Sequence, residues 1–171
     1  MLRTSSMNRL VPAAGLLALA ACGRLSDAKA EQVVRDYNAR VIEAYRTADP
    51  QLAAGVVGAA ELKKLTGLIG ARQDADLVLD SELLAFEVLS VERADTEVHV
   101  LTRERWYYRD RHIGDGAQVG EESTDEYRMR YALVRAGNAW VVDRIEWAAP
   151  PKVGRARAPL GGELAADGGA P

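Results

Sequence analysis

Residues 127 to 135 read Tyr127-Arg128-Met129-Arg130-Tyr131-Ala132-Leu133-Val134-Arg135. Large apolar side chains recur at every second position, which places them on one face of a β-strand and the arginines on the other. Gly137-Asn138 follows as a turn signal, and Trp140-Val141-Val142 opens another strand pattern. The sequence therefore predicts an antiparallel hairpin with strands at residues 124–135 and 139–147.

Two further strand patterns precede this hairpin. Residues 84–93 are rich in β-forming apolar residues, and residues 96–109 alternate with a period of two. One face of the second strand carries Val98, Val100, Glu104, Trp106 and Tyr108. The other face carries His99, Arg103 and Arg105. Three glycines between residues 110 and 122 predict a long loop. About four long antiparallel strands are expected, with Trp140 and Trp147 in the core.

Helical patterns occupy the segment before the strands. Residues 27–48 form an amphipathic pattern that Ser26 or Asp27 can cap, and Asp49-Pro50 ends it. A short helix is expected from Pro50 to Val57, and another at residues 60–71. The buried face of the latter is predicted to hold Leu62, Leu65, Leu68 and Ile69. Residues 72–80 are expected to be a connection. Helices followed by an antiparallel meander indicate an α+β fold.

This order of elements resembles the nuclear transport factor 2-like superfamily. The resemblance rests on the first helix with Tyr37 and Tyr45, on Trp106-Tyr107-Tyr108, and on the closing hairpin of residues 127–142. It implies helices packed on a strongly curved, cone-like sheet, with a pocket opening between them. It implies no particular chemistry, because that superfamily includes isomerases, dehydratases, ligand binders and scaffolds.

The N-terminus resembles the signal of a bacterial lipoprotein. Two arginines precede an apolar run that is too short to span a bilayer and ends in Leu19-Ala20-Ala21-Cys22. Either Met1 or Met7 suits as the start. The resemblance implies that residues 1–21 are a cleaved signal peptide and that Cys22 carries N-acyl and S-diacylglycerol lipid, including palmitate. Residues 22–26 would then be a lipidated linker. Gly23 in place of aspartate after the cysteine favours the outer membrane, facing the periplasm, over the inner membrane.

Length, composition and charge narrow the function classes. A chain of 171 residues suits one domain, and one cysteine excludes an internal disulfide. The net charge of −3 opposes nucleic-acid binding. Residues 27–147, the predicted domain, hold 16 basic and 23 acidic residues, a net −7. Residues 148–171 are dominated by Ala, Gly and Pro and are expected to be a disordered tail.

A candidate pocket is expected between the first helix and the inner face of the sheet. Its predicted members are Tyr37, Glu104, Trp106 and Tyr131. Glu104 shares a strand face with apolar residues and could act there as an acid or base. The favoured interpretation is instead that Glu104 is exposed or pairs across strands with Arg128 or Arg130. His99 and His112 are interpreted as surface histidines without carboxylate partners, and no catalytic residue, metal site or cofactor is predicted.

The sequence favours a membrane-anchored, non-enzymatic binding or assembly module of the bacterial envelope. Its expected partners are the lipid bilayer through Cys22 and either an envelope protein or a small apolar ligand. One alternative is an enzyme of the nuclear transport factor 2-like type, in which Glu104 would lie in a cavity of about 300 Å³ or more. A small apolar ligand carrier and an assembly part that dimerises through the outer sheet face are the others.

Overall fold

A computed structural model describes residues 25–155. The predicted signal peptide, Cys22 and most of the predicted tail lie outside these residues. The elements are α1 (Asp27–Thr47), a 3₁₀ turn (Pro50–Ala53), α2 (Ala59–Asp74), β1 (Leu77–Arg93), β2 (Glu97–His112), β3 (Gln118–Ala136) and β4 (Ala139–Arg155). In this part of the chain no helix is long and apolar enough to cross a membrane.

Local side-chain chemistry sets the ends of α1. The Ser26 hydroxyl accepts a hydrogen bond from the Lys29 amide and caps the first turn. Ala48 takes a left-handed conformation with φ of 56° and ends the helix one residue earlier than predicted. Asp49 then caps a 3₁₀ turn of four residues, which is shorter than the helix predicted as far as Val57.

The second helix is longer than predicted and is rotated relative to the expected face. It spans Ala59–Asp74, and Leu65 and Ile69 are buried as expected. Leu68, which was assigned to the buried face, is 49% exposed. Glu61 is 8% exposed and takes a place in the interior instead. The helical period alone did not reveal this, because neighbouring β-strands decide which part of the stripe is covered.

The four strands form one antiparallel sheet in the order β1-β2-β3-β4. Each strand is longer than its pattern indicated. The predicted loop of residues 110–122 is largely strand, because Asp110 pairs with Val119 and Arg111 with Gln118. The predicted connection of residues 72–80 likewise contains the start of β1, where Leu77 pairs with His112. Long-range pairing supplies backbone hydrogen bonds that local composition does not encode.

The last strand corrects the predicted boundary of the tail. β4 continues from Ala148 to Arg155, and its second half pairs with β3 through registers such as Asp125 with Val153. Residues 148–155 are therefore strand and not disordered tail. Trp147, which was assigned to the core, is 66% exposed, whereas Trp140 packs against the core.

The core lies between the helices and the inner face of the sheet. Fully buried positions come from one helix and three strands: Val34, Val100, Leu133 and Val142. Shifts in register interrupt every strand pair, and such irregularities bend strands and increase their twist. The result is two helices packed on a curved four-stranded antiparallel sheet, the cone-like α+β layout expected from the resemblance. The predicted fold class is confirmed.

Candidate ligand-binding cavity

A cavity of about 320 Å³ opens between α1, α2 and the inner face of the sheet. Five of the six tyrosines of the chain line it: Tyr37, Tyr45, Tyr108, Tyr127 and Tyr131. Two of the three tryptophans, Trp106 and Trp147, line it as well. A concave site walled by aromatic side chains, with few polar groups, is typical of small-ligand sites.

Strand periodicity and register bring the cavity's sheet residues together. The alternation in β2 directs Thr102, Glu104 and Trp106 to the inner face, as the sequence predicted for the last two. Glu104 pairs with Tyr127 of β3, and Val100 pairs with Tyr131. The structure therefore places all four predicted pocket residues, Tyr37 included, around one cavity.

Glu104 is the polar centre of the cavity wall. Its side chain is 1% exposed, and its carboxylate accepts three hydrogen bonds. Thr102 Oγ1 and the Tyr131 hydroxyl each donate to Oε1 over 2.8 Å, and Trp106 Nε1 donates to Oε2 over 2.7 Å. The favoured interpretation from sequence, an exposed Glu104 or a pair with Arg128 or Arg130, is wrong. Both arginines lie on the outer face, where alternation directs them away from the cavity.

Helix α1 adds two side chains to this polar centre. The Tyr37 ring meets the Tyr131 ring edge-on, with 5.9 Å between their centroids. Asn38 is 3% exposed, and its amide lies 3.3 Å from the Tyr131 hydroxyl. Asn38 Nδ2 is buried without a hydrogen-bond partner among the described residues. Adjacent helix residues thus contribute one aromatic ring and one unsatisfied polar group to the cavity.

Three aromatic rings form a continuous wall at the other side. Trp106 and Tyr108 stack with centroids 6.0 Å apart and planes 8° apart. Tyr127 stands nearly perpendicular to Tyr108, at 79° and 6.3 Å. Behind this wall the Tyr127 hydroxyl donates to Asp125 Oδ2 over 3.0 Å. Asp125 is itself buried, and its Oδ1 has no partner within residues 25–155.

Burial and nearby carboxylates keep the cavity's phenols protonated. Burial raises the pKa of the Tyr131 hydroxyl well above its usual value, and the Glu104 charge raises it further. Burial likewise raises the pKa of Tyr37, with Glu61 adding to the effect. Burial also raises the pKa of Tyr108, which lies near Tyr127 and Asp125. The hydroxyls therefore remain neutral hydrogen-bonding groups at physiological pH.

One basic side chain lines the cavity. Lys64 Nζ lies 3.7 Å from Glu61 Oε2 at the α2 side, and its own side chain is 56% exposed. Within residues 25–155 neither Glu104 nor Asp125 forms an ion pair with Lys, Arg or His. Two buried carboxylates at the cavity wall therefore lack a cationic partner from the described part of the chain.

The histidines do have carboxylate neighbours, contrary to the sequence interpretation. His99 Nε2 lies 3.4 Å from Glu97, and His112 Nδ1 lies 3.6 Å from Asp76. Neither histidine lines the aromatic cavity. No cluster of three metal-ligating side chains occurs in the described range, and Cys22 lies outside it.

Larger recesses lie elsewhere on the surface, but they are less enclosed by aromatic rings. One of about 870 Å³ is lined mainly by the β1–β2 turn and Trp140. Another of about 530 Å³ lies beside α1 and is edged by Arg35, Arg46 and Arg109. The aromatic cavity is smaller than both, but it combines enclosed rings with buried, unsatisfied polar atoms.

The sequence analysis missed several members of the site. Tyr45, Tyr108 and Tyr127 share the faces of predicted members, so helical and strand periodicity could have added them. Asn38 and Glu61 gave no such signal, because polar residues on a helix are usually exposed. Their burial follows from how the helices lie on the sheet.

Comparison with solved structures supports the fold. The intermembrane space region of the chloroplast protein ARC6 matches with a TM-score of 0.66 and 18% identity, covering 74% of this chain and 99% of that one. At this identity the match shows the fold alone. A nuclear transport factor 2-like protein involved in plasmid conjugation matches with a TM-score of 0.44 and 11% identity, covering 70% of this chain and 50% of that one.

A ketosteroid isomerase-like protein from Erwinia carotovora gives a TM-score of 0.41 and 12% identity, covering 70% of this chain and 96% of that one. The TM-scores of these last two matches are too low to carry an argument. No protein-family model matches the chain, and no curated protein matches it. The comparisons therefore show an α+β fold of this type and leave the function to the site itself.

Proposed function

We propose that this protein is a lipid-anchored envelope module that binds a small ligand in the aromatic cavity without transforming it. The observation that carries the proposal is the concentration of five tyrosines and two tryptophans around about 320 Å³. Aromatic rings combine a large apolar surface with defined polar edges, which suits recognition of a small molecule. An envelope protein partner at the cavity mouth is compatible with this role.

The anchor is inferred from the resemblance of residues 19–22 to the lipoprotein signal. Leu25 is buried, and Arg93 Nη2 donates to its carbonyl oxygen over 2.9 Å. Only Gly23 and Arg24 separate Cys22 from this fixed point. An extended chain of three residues reaches about 10 Å, so a lipid on Cys22 would hold the domain close to the bilayer. We infer the outer membrane, facing the periplasm, from Gly23.

The hydrogen bonds of Glu104 favour binding over catalysis. A general base needs a free oxygen within hydrogen-bond reach of the substrate proton. Here one carboxylate oxygen accepts from two hydroxyls and the other from an indole. All three donors belong to the protein, so Glu104 is arranged to organise the wall.

An enzyme of the nuclear transport factor 2-like type is the second candidate. The observation in its favour is that Glu104 is buried beside a cavity above 300 Å³, as that alternative requires. A substrate would then have to displace Thr102 or Tyr131 from the carboxylate. Chemical conversion of a bound ligand by the purified chain, lost in Glu104→Gln, would favour this candidate.

Anchoring is tested by radiolabelled palmitate incorporation and membrane fractionation of the full chain. The wild type is expected to incorporate label and sediment with the outer membrane, whereas Cys22→Ser incorporates none. Gly23→Asp is the matched variant for destination and is expected to move the protein toward the inner membrane. An unlabelled wild type, or an unmodified Cys22 in the mature protein, would overturn the anchor.

Cavity binding is tested with the neutral fluorescent probe N-phenyl-1-naphthylamine. The full chain is expected to enhance its emission in a saturable manner. Met129→Trp, which fills part of the cavity, should abolish the enhancement. Val153→Trp adds the same side chain at a position that is 68% exposed and outside the cavity, and should leave the enhancement unchanged. Equal enhancement by both variants would contradict binding in the cavity.

A further inference from the structure

We propose that the ligand of the aromatic cavity is a small organic cation, an alkylammonium group that also carries a hydrogen-bonding substituent. This inference rests on the proposed binding function and assigns a ligand class to it. It is argued from the geometry of the rings, from the buried carboxylates and from one unsatisfied amide.

The rings are arranged as the walls of a box. Tyr108 and Tyr127 are nearly perpendicular, and Trp106 extends the Tyr108 wall by stacking on it. Ring faces carry negative electrostatic potential, so a cation within about 6 Å of a ring centroid is attracted to it. Adjoining walls let one ammonium group meet more than one ring face. A neutral apolar ligand would gain contact area from the same walls but not this electrostatic attraction.

The negative charges behind the box lack cations. Glu104 and Asp125 are 1% and 7% exposed, and residues 25–155 provide no ion-pair partner for either. Buried charges in proteins are ordinarily paired, because leaving water is costly. A cationic ligand between the rings would supply the missing positive charge. It would do so without disturbing the three hydrogen bonds that fix Glu104.

Lys64 does not fill this role. Its ammonium lies 3.7 Å from Glu61, on the α2 side of the cavity, and is directed to a carboxylate of its own helix. Its flexible side chain is half exposed, which indicates a position at the mouth. The Lys64–Glu61 pair therefore leaves the charge deficit at Glu104 and Asp125 in place.

Asn38 provides the second point of recognition. The hydroxyl of Tyr131 has one proton, and its shorter, charge-assisted contact is with Glu104. In that arrangement the Asn38 amide nitrogen donates to the Tyr131 oxygen, and the Asn38 carbonyl oxygen is free to accept. In the opposite amide orientation the nitrogen is the free group. Either way one buried polar atom of Asn38 requires a partner, which a hydroxyl of the ligand can provide.

The ammonium could belong to a free metabolite or to a lipid headgroup. Leu68 and Trp147 line the cavity and remain 49% and 66% exposed, so its rim is apolar. An anchored domain could place such a rim near a bilayer. The two sources share the same recognition chemistry, and separate arms of the experiment distinguish them.

The decisive comparison is choline against its neutral carbon isostere, 3,3-dimethyl-1-butanol. Both carry the same hydroxyl and the same branched head, and only choline is charged. Isothermal titration calorimetry with the full chain in maltoside detergent is expected to show choline binding about tenfold or more tightly than the isostere. Tyr108→Leu should reduce choline affinity about tenfold, and Tyr108→Phe, which retains the ring, should restore most of it.

The control is Tyr107→Leu, the neighbouring tyrosine that points away from the cavity. It should leave choline affinity unchanged. Equal affinity for choline and the isostere would overturn the cationic ligand while leaving a cavity that binds. Absence of choline binding alongside normal N-phenyl-1-naphthylamine binding would overturn it as well. Loss of probe binding in the wild type would overturn the proposed function itself.

Soluble and membrane sources are separated by intrinsic tryptophan fluorescence. Glycerophosphocholine is added alone in one arm, and phosphatidylcholine or phosphatidylglycerol vesicles are added in the other. A response to phosphatidylcholine vesicles but not to phosphatidylglycerol vesicles would identify a lipid headgroup. A response to the soluble compound alone would identify a free ammonium metabolite. Absence of a response in every arm would contradict the proposal.

Discussion

At the scale of single residues, Glu104 shows how a charged group is retained in the interior of this domain. The chain surrounds it with three donors from β2 and β3, so that each carboxylate oxygen is hydrogen-bonded. Low local polarity strengthens such bonds and makes their loss costly. The carboxylate and its donors therefore behave as one unit that fixes the position of Trp106 and Tyr131.

Glu104→Ala should lower the free energy of unfolding by about 2 kcal/mol or more, because three buried donors lose their acceptor and a void remains. Urea denaturation followed by tryptophan fluorescence measures this. Glu87→Ala, at an outward-facing position of β1 with its side chain 59% exposed, should change stability by less than about 0.5 kcal/mol. Equal effects of the two substitutions would show that the hydrogen bonds of Glu104 add nothing.

Asp80 at the start of β1 should make stability depend on acidity. Burial by itself would raise the pKa of its carboxyl, but the hydrogen bonds and charge of Arg109, with Arg46 and Arg111, outweigh it and lower the pKa below 3.8. A lowered folded-state pKa stabilises the protein above the unfolded-state pKa, and this contribution disappears as the pH falls through the folded-state pKa.

Asp80→Asn should therefore be less stable than the wild type at pH 7. The difference between them should shrink below about pH 4. Urea denaturation of both proteins between pH 3 and pH 7 measures it. A difference that stays constant across this range would contradict the assignment of the charge interactions to Asp80.

At the scale of elements, the second half of β4 depends on its partner strand more than on its own composition. Its Ala, Pro and Gly residues are poor strand formers, and only pairing with β3 holds them. Gly154 lies so close to Thr124 that an added Cβ would come within 2.4 Å of the Thr124 carbonyl oxygen. The contact is with backbone, so the neighbouring strand would have to move.

Gly154→Ala should separate this end of the hairpin and leave the core intact. Hydrogen exchange should accelerate at the amides of residues 148–155, with a change in melting temperature of only a few degrees. Gly114→Ala is the matched control, because an added Cβ there meets nothing within 4 Å. Unchanged exchange in Gly154→Ala would show that β4 ends before Ala148 in solution.

At the scale of the whole molecule, the helical layer and the sheet share one core. Leu133 of β3 is fully buried in it, together with Val34 of α1 and Val100 of β2. Removing apolar volume at such a point weakens both layers together, because neither can bury its apolar face alone. The described domain should therefore unfold as a single cooperative unit.

Leu133→Ala should lower the free energy of unfolding by about 2–5 kcal/mol. Transitions followed by far-ultraviolet circular dichroism and by tryptophan fluorescence should still coincide. Val153→Ala, at a position 68% exposed, should be nearly neutral. Separate transitions for the two signals would show that helices and sheet fold independently.

Local periodicity by itself determined the order of helices and strands and the faces on which Glu104, Trp106 and Tyr131 lie. This worked because side-chain direction repeats with a period of two in a strand, whatever the strand packs against. Only the tertiary structure decided the three partners of Glu104, the burial of Asn38 and Glu61, the exposure of Trp147 and the full length of β4. Tyr131 and Asn38 are 93 residues apart in sequence, so their contact depends on strand register and on how α1 crosses the sheet. Those features arise from long-range packing, which no local pattern records.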